Sequence, residues 1–177
     1  MTWNAFHNRG EILRTVIATA DERLDGKLPT DVAGVREQFS NELDLIAALM
    51  LKWHARLSGN VERELMKQPL DLEAAVARAW RTTCDELPGV RAIIDAYLAE
   101  PSGPEMAIAL HNAQEREWVR LAAAAGLAND ESEAAARAGA RVEETARTLH
   151  PAPVEAAAEV GAHQPSFVER LKAVLAA

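Results

Sequence analysis

The chain is poor in cysteine: Cys84 stands alone among 177 residues. An internal disulfide and a cysteine-built zinc site are both excluded by that count, and a reducing, cytoplasmic setting is expected. Aromatic residues are scarce at 5%, so a core must be built from aliphatic side chains around a few rings. Long apolar runs are absent as well. The longest, Leu45 to Leu51, is far short of the ~20 residues that span a bilayer, and no membrane association is expected. The start, Met1-Thr2-Trp3-Asn4, carries neither the basic residues nor the apolar stretch of a secretory signal. There is no basic excess either. The formal net charge is -8, a balance that repels nucleic acid unless a local patch overrides it, and no nucleic-acid partner is expected. No Gly-rich phosphate loop, Gly-x-Ser-x-Gly, His-Glu-x-x-His or Glu-x-x-His occurs. The sequence therefore leans away from an enzyme and implies no cofactor.

What is present is helix-forming sequence. Alanine supplies about one residue in five, apolar positions recur at spacings of 3 and 4, and no stretch alternates at period 2. The expected fold is all-α: a single-domain bundle of five to seven helices over residues 1–150. A Pro/Ala-rich linker over 151–164 and a short amphipathic C-terminal helix over 165–177 follow, the latter carrying Phe167, Leu171 and Val174. A chain of this length can bury about 70% of its unfolded surface without metal or disulfide.

The first helix is expected from Trp3 or Asn8 to Leu24, on the seam Phe6, Gly10, Leu13, Ile17, Ala20, Leu24. The second, central and apolar, is expected at about 31–57, capped by Thr30 or Asp31 and stopped by Ser58-Gly59-Asn60. Its seam is Phe39, Leu43, Ile46, Met50, Trp53, Leu57. A third follows Asp71, with Leu72, Val76, Trp80, Cys84 and Leu87 buried; a fourth runs from Pro88 to Ala99. The fifth, Pro104 to Ala125, has a capping box at Ser102 and Glu105 and the stripe Ala107, His111, Gln114, Trp118, Leu121, Ala125. A sixth, begun by Asp130 and reaching Leu149, offers a face of Ala134, Ala135, Ala138, Val142 and Leu149. Small side chains there allow close helix approach, and a homodimer through this face is expected.

Chemistry has few places to sit. His54, His111 and Gln114 fall on or beside apolar stripes and predict a polar notch in the core. With Trp80, Tyr97 and Trp118 they are the candidates to line a pocket for a small apolar ligand. His7 with Glu11, and His111 with Glu115, are pairs four apart that could contribute to a metal site if two helices faced each other; the ordinary alternative is two surface helix pairs. Cys84, on an apolar stripe beside Asp85 and Glu86, reads as an inert core thiol.

The stretch Ala33-Gly34-Val35 followed by Phe39 to Leu49, and the run Trp80…Glu86-Leu87-Pro88-Gly89-Val90, resemble two parts of TetR-type repressors. The first is similar to the end of their recognition helix and the start of their fourth helix, the second to their ligand-sensing domain. The resemblance implies a ligand-binding helical bundle. The space between the first helix and Ala33 holds no separate helix of a helix-turn-helix, so a competent DNA-reading unit is not expected. Three functions follow: a helical binding or interaction module, expected to be homodimeric; a TetR-like ligand-binding bundle; and a metal-dependent bundle enzyme using His and Glu ligands.

Overall fold

A computed structural model describes residues 3–149, with side chains from Asn8 onward. The expected linker at 151–164 and the helix at 165–177 lie outside the described residues, as does the side chain of His7. Among the described residues there are seven helices and no strand: α1 Trp3–Arg23, α2 Val35–Gln38, α3 Glu42–Leu65, α4 Leu72–Glu86, α5 Pro88–Ala99, α6 Pro104–Ala124 and α7 Glu133–Thr148. The all-α bundle is as expected. None of these helices is long and apolar enough to cross a membrane.

The core gathers around α3. Leu45, Ile46, Leu49, Met50, Trp53 and Leu57 are all buried there. A fully buried aliphatic side chain contributes about 1.5–3 kcal/mol, so this one helix face is a major source of stability. Leu51, the last residue of the Leu45–Leu51 apolar run, is 70% exposed.

The boundaries of the central helix differ from 31–57. The chain turns through an extended Phe39, and α3 begins only after Asn41, whose side chain accepts from the Asp44 N–H at 2.8 Å. Asn41 thus satisfies one of the free amides of the first turn. At the other end Ser58 and Gly59 do not stop the helix. Asn60 is buried and donates through Nδ2 to Thr83 Oγ1 and Glu86 Oε2, both at 2.9 Å. That tie to α4 outweighs the low helix propensity of glycine and carries α3 on to Leu65. Asp71 caps α4 through the Ala74 N–H, as expected. Gly103, not Ser102, stands before α6, without a side-chain cap. Ser132, not Asp130, caps α7, accepting from Ala135 N–H while its own hydroxyl donates to Asp130.

Two crossings depend on glycine. A Cβ on Gly89 would lie 2.1 Å from the Ala20 carbonyl carbon, so α5 can approach α1 this closely only with glycine at that position; the Gly89 N–H donates to Asp21 at 2.8 Å. A Cβ on Gly139 would lie 1.7 Å from the Trp118 carbonyl oxygen. Close helix approach through small residues does occur on α7, but within the chain. The most extensive helix contacts are α6 with α7 and α3 with α4, and α7 also packs on α4. Ala135, Ala138 and Val142 are buried there. Three of the five residues of the face expected to receive a second copy are thus covered by the protein's own helices, while Ala134 and Leu149 remain exposed.

Candidate functional site: a buried polar chain across the bundle

The unusual feature of the interior is charge. Glu117, Glu143 and Arg91 are buried at 2%, 6% and 5% exposure. Helical spacing assembles them, because side chains four apart share a face. Arg91 pairs with Asp95 along α5, Glu143 with Arg147 along α7, and Gln114 with Trp118 project together from α6.

The links run in order across the molecule. Glu117 Oε2 accepts from Trp53 Nε1 at 2.9 Å, and His54 Nε2 lies 2.8 Å from the same oxygen, out of line for a hydrogen bond. The Arg91 guanidinium lies 5.0 Å from the centre of the Trp53 ring and 5.9 Å from that of Trp80, and donates to Asp95 Oδ1 at 2.6 Å. Arg147 binds the same Asp95 oxygen at 2.7 Å and stands 4.9 Å from the Trp80 ring. It also donates to Glu143 Oε1 at 2.6 Å. Glu143 Oε2 completes the series, accepting from Gln114 Nε2 at 2.7 Å and Trp118 Nε1 at 2.6 Å.

Charge pairing decides the protonation preferences. Burial alone raises the pKa of Glu117, but His54, Arg91 and the Trp53 N–H outweigh it and hold the carboxyl below its usual range. Burial likewise raises Asp95, and Arg147 with Arg91 more than reverse it. The Arg147 guanidinium loses from burial but is held even more firmly charged by Asp95 and Glu143. Cys84 has no such help; burial pushes its thiol up to about 12, consistent with an inert core thiol.

Several buried polar atoms in this region have no protein partner: Glu117 Oε1, Gln114 Oε1, Trp80 Nε1, and Nε and Nη1 of Arg91. Buried polar groups are nearly always satisfied, so such atoms mark places to look for a ligand. Gln114 is the most informative. Its Nε2 must face the Glu143 carboxylate, which accepts only donors, so its Oε1 is fixed as a free acceptor. It lines a groove of about 500 Å³ between α5, α6 and α7, walled by Leu98, Pro101, Ala107, Leu110, His111, Trp118, Glu143 and Arg147. On the other side of α6, against α3, lie two smaller grooves of about 240 and 230 Å³, both lined by His54 and Arg120.

The six expected pocket residues are therefore divided. Gln114 and Trp118 share the large groove. His111 reaches only its rim: its side chain is 67% exposed and its Nε2 lies 3.4 Å from Glu115. The core position expected for His111 is wrong because the buried stripe of α6 is Met106, Leu110, Gln114, Glu117, Leu121, rotated by about one residue from the expected one. His54 faces the opposite grooves. Trp80 is core, 5.8 Å centre to centre from Trp53. Tyr97 stands by the Leu28 backbone and Glu42, away from all three grooves. Of the expected metal pairs, Glu11 meets Arg14 and His111 meets Glu115 at the surface. No group of three or more His, Cys, Asp and Glu side chains is placed to hold a metal among the described residues.

Arg91, Asp95, Glu117, Glu143 and Arg147 were not among the expected site residues, because charged residues are ordinarily solvated. A signal existed for two of them. Glu117 continues the spacing Leu110, Gln114, Glu117, Leu121, and Arg91 falls among Val90, Ile93 and Ile94. No protein-family model, no curated protein and no solved structure matches the chain. The likeness to TetR-type repressors thus rests on the quoted residues alone, and the four-residue α2 between α1 and α3 is too short to build a helix-turn-helix pair.

Proposed function

We propose that the protein is a non-enzymatic small-molecule-binding bundle, with the α5–α6–α7 groove as its site. The observation that supports this reading is Gln114, a residue 5% exposed that lines a groove of ligand-binding size and whose carbonyl oxygen has no partner. The ligand presents a neutral N–H or O–H donor to Gln114 Oε1 and lays an apolar body against Leu98, Leu110 and the Trp118 ring. A cation is disfavoured, because Glu143 already accepts from Gln114, Trp118 and Arg147 and the Arg147 charge lies in the wall. This is the ligand-binding reading of the helical module, with no reacting group required.

The test is a nuclear magnetic resonance screen of neutral aromatic amides and phenols, read at the Trp118 indole N–H. Saturable shifts of that signal in the parent protein, lost in Gln114→Leu with the fold retained, are the expected result. Hits that bind the Gln114→Leu variant as tightly would overturn the assignment.

A further inference from the structure

The groove between α3 and α6 differs in character from the one over Gln114. Leu43, Ile46, Ala47, Met50, Leu51 and His54 face Ala109, Leu110, Ala113, Arg116 and Arg120 across it. The residues shared with the adjoining groove, His54 and Arg120, mark its far end. It is thus graded along its length: aliphatic at the Leu43–Ala109 end, polar at the end where His54, Arg116 and Arg120 meet.

Arg116 and Arg120 stand four apart on one helix face, where like charges repel. Most arginines of this acidic protein have a carboxylate. Arg9 has Asp44, Arg23 has Asp31, and Arg78 has Glu64. Neither Arg116 nor Arg120 has a hydrogen bond or ion pair among the described residues. Of the two carboxylates that line the adjoining groove, Glu117 is turned inward onto Trp53 and His54, and Glu62 makes no ion pair with either arginine. Two adjacent cations left uncompensated on a chain of net charge -8, beside an apolar trough, form a surface complementary to an anion with an apolar tail.

We infer that this groove is a second binding site, for an amphipathic monocarboxylate. The carboxylate is held between Arg116 and Arg120, and the aliphatic chain lies over Met50, Leu51 and Leu110 toward Leu43. A guanidinium pair suits a carboxylate because its donors match the two oxygens. The site is separate from the groove over Gln114 and does not depend on that reading.

Octanoate and octanamide, equal in length and differing in charge, are the probes. Calorimetry should give saturable octanoate binding and affinity at least about tenfold weaker for octanamide, the worth of one charge-assisted contact. The double variant Arg116→Gln, Arg120→Gln should lower octanoate affinity at least as much with an unchanged circular-dichroism spectrum, while Gln114→Leu leaves it unaltered. Equal affinity for both probes, or octanoate binding undiminished in the arginine variant, would overturn the inference. So would octanoate that shifts the Trp118 indole and is lost in Gln114→Leu, since the carboxylate would then occupy the other groove.

Discussion

Trp80 stands edge-on to Trp53, with ring centres 5.8 Å apart and planes inclined at 76°. Both indoles are essentially fully buried, and Arg91 lies against both. The pair joins α3 to α4 at the middle of the bundle. Trp53→Ala should therefore cost about 3–5 kcal/mol, as large-to-small core changes do. Trp53→Phe keeps most of the ring but removes the donor to Glu117, and should cost about 1–3 kcal/mol for a buried acceptor deprived of a partner. Urea midpoints measure both; a loss under 1 kcal/mol for the alanine variant would show that Trp53 is dispensable to packing.

Glu117 makes stability depend on acid. Its folded pKa lies below the ordinary 4.5, so the folded state binds its proton less readily than the unfolded state does. The stabilisation is fully present above about 4.5 and is lost as pH falls from there through the depressed folded value. Asp95 acts in the same direction. Denaturation followed from neutral pH downward should show a steep acid limb, shallower in Glu117→Gln. An identical limb in the two proteins would mean that another carboxylate governs it.

Gly139→Ala should destabilise more than a usual helix glycine substitution, which ordinarily gains from propensity. The added methyl meets the Trp118 carbonyl, and the backbone must separate. Overpacking of this kind costs about 1–3 kcal/mol. A thermal midpoint equal to or above that of the parent would refute the close crossing.

Cys84 should resist alkylation. With its thiol pushed up to about 12 by burial and the residue 6% exposed, iodoacetamide at about pH 8 should modify it only in denaturant, where a free thiol titrates near about 8.5. Rapid labelling of the native protein would contradict its placement.

His111→Leu should change stability by no more than about 0.5 kcal/mol, as expected for an exposed position. The same measurement on Gln114→Leu should give a larger loss, because it leaves Glu143 without one of its buried donors.

The seam from Phe39 to Leu57 was readable because apolar residues repeated without interruption at helical spacing, and its lower members from Leu43 do line one helix. The break before it was harder to read. Asn41 with Asp44 three residues on was available as a start signal, but Phe39 continues the apolar spacing straight through the turn, so pattern and cap disagreed and the cap determined the fold. Gly59 misled in the opposite direction, because a tertiary partner for Asn60 is not visible from neighbouring residues. At the candidate site Gln114 and Trp118 were found, being polar or aromatic groups on an apolar stripe. Arg91, Glu117 and Glu143 were missed. Arg91 and Glu143 have counter-charges on their own helices, but that these residues and Glu117 are buried depends on how the helices pack together, which is not set by local sequence.

The double attachment of Trp118 has a mechanical consequence for the large groove. Its carbonyl rests on Gly139 while its indole N–H is bonded to Glu143, one turn further along α7. A rotation or a slide of α6 against α7 must break one of these, so those two walls move as a unit. On the proposed ligand-binding reading, adjustment to ligands of different girth falls to the opposite wall, where Leu98 and Pro101 flank the turn between α5 and α6. The groove is a vice with one fixed jaw.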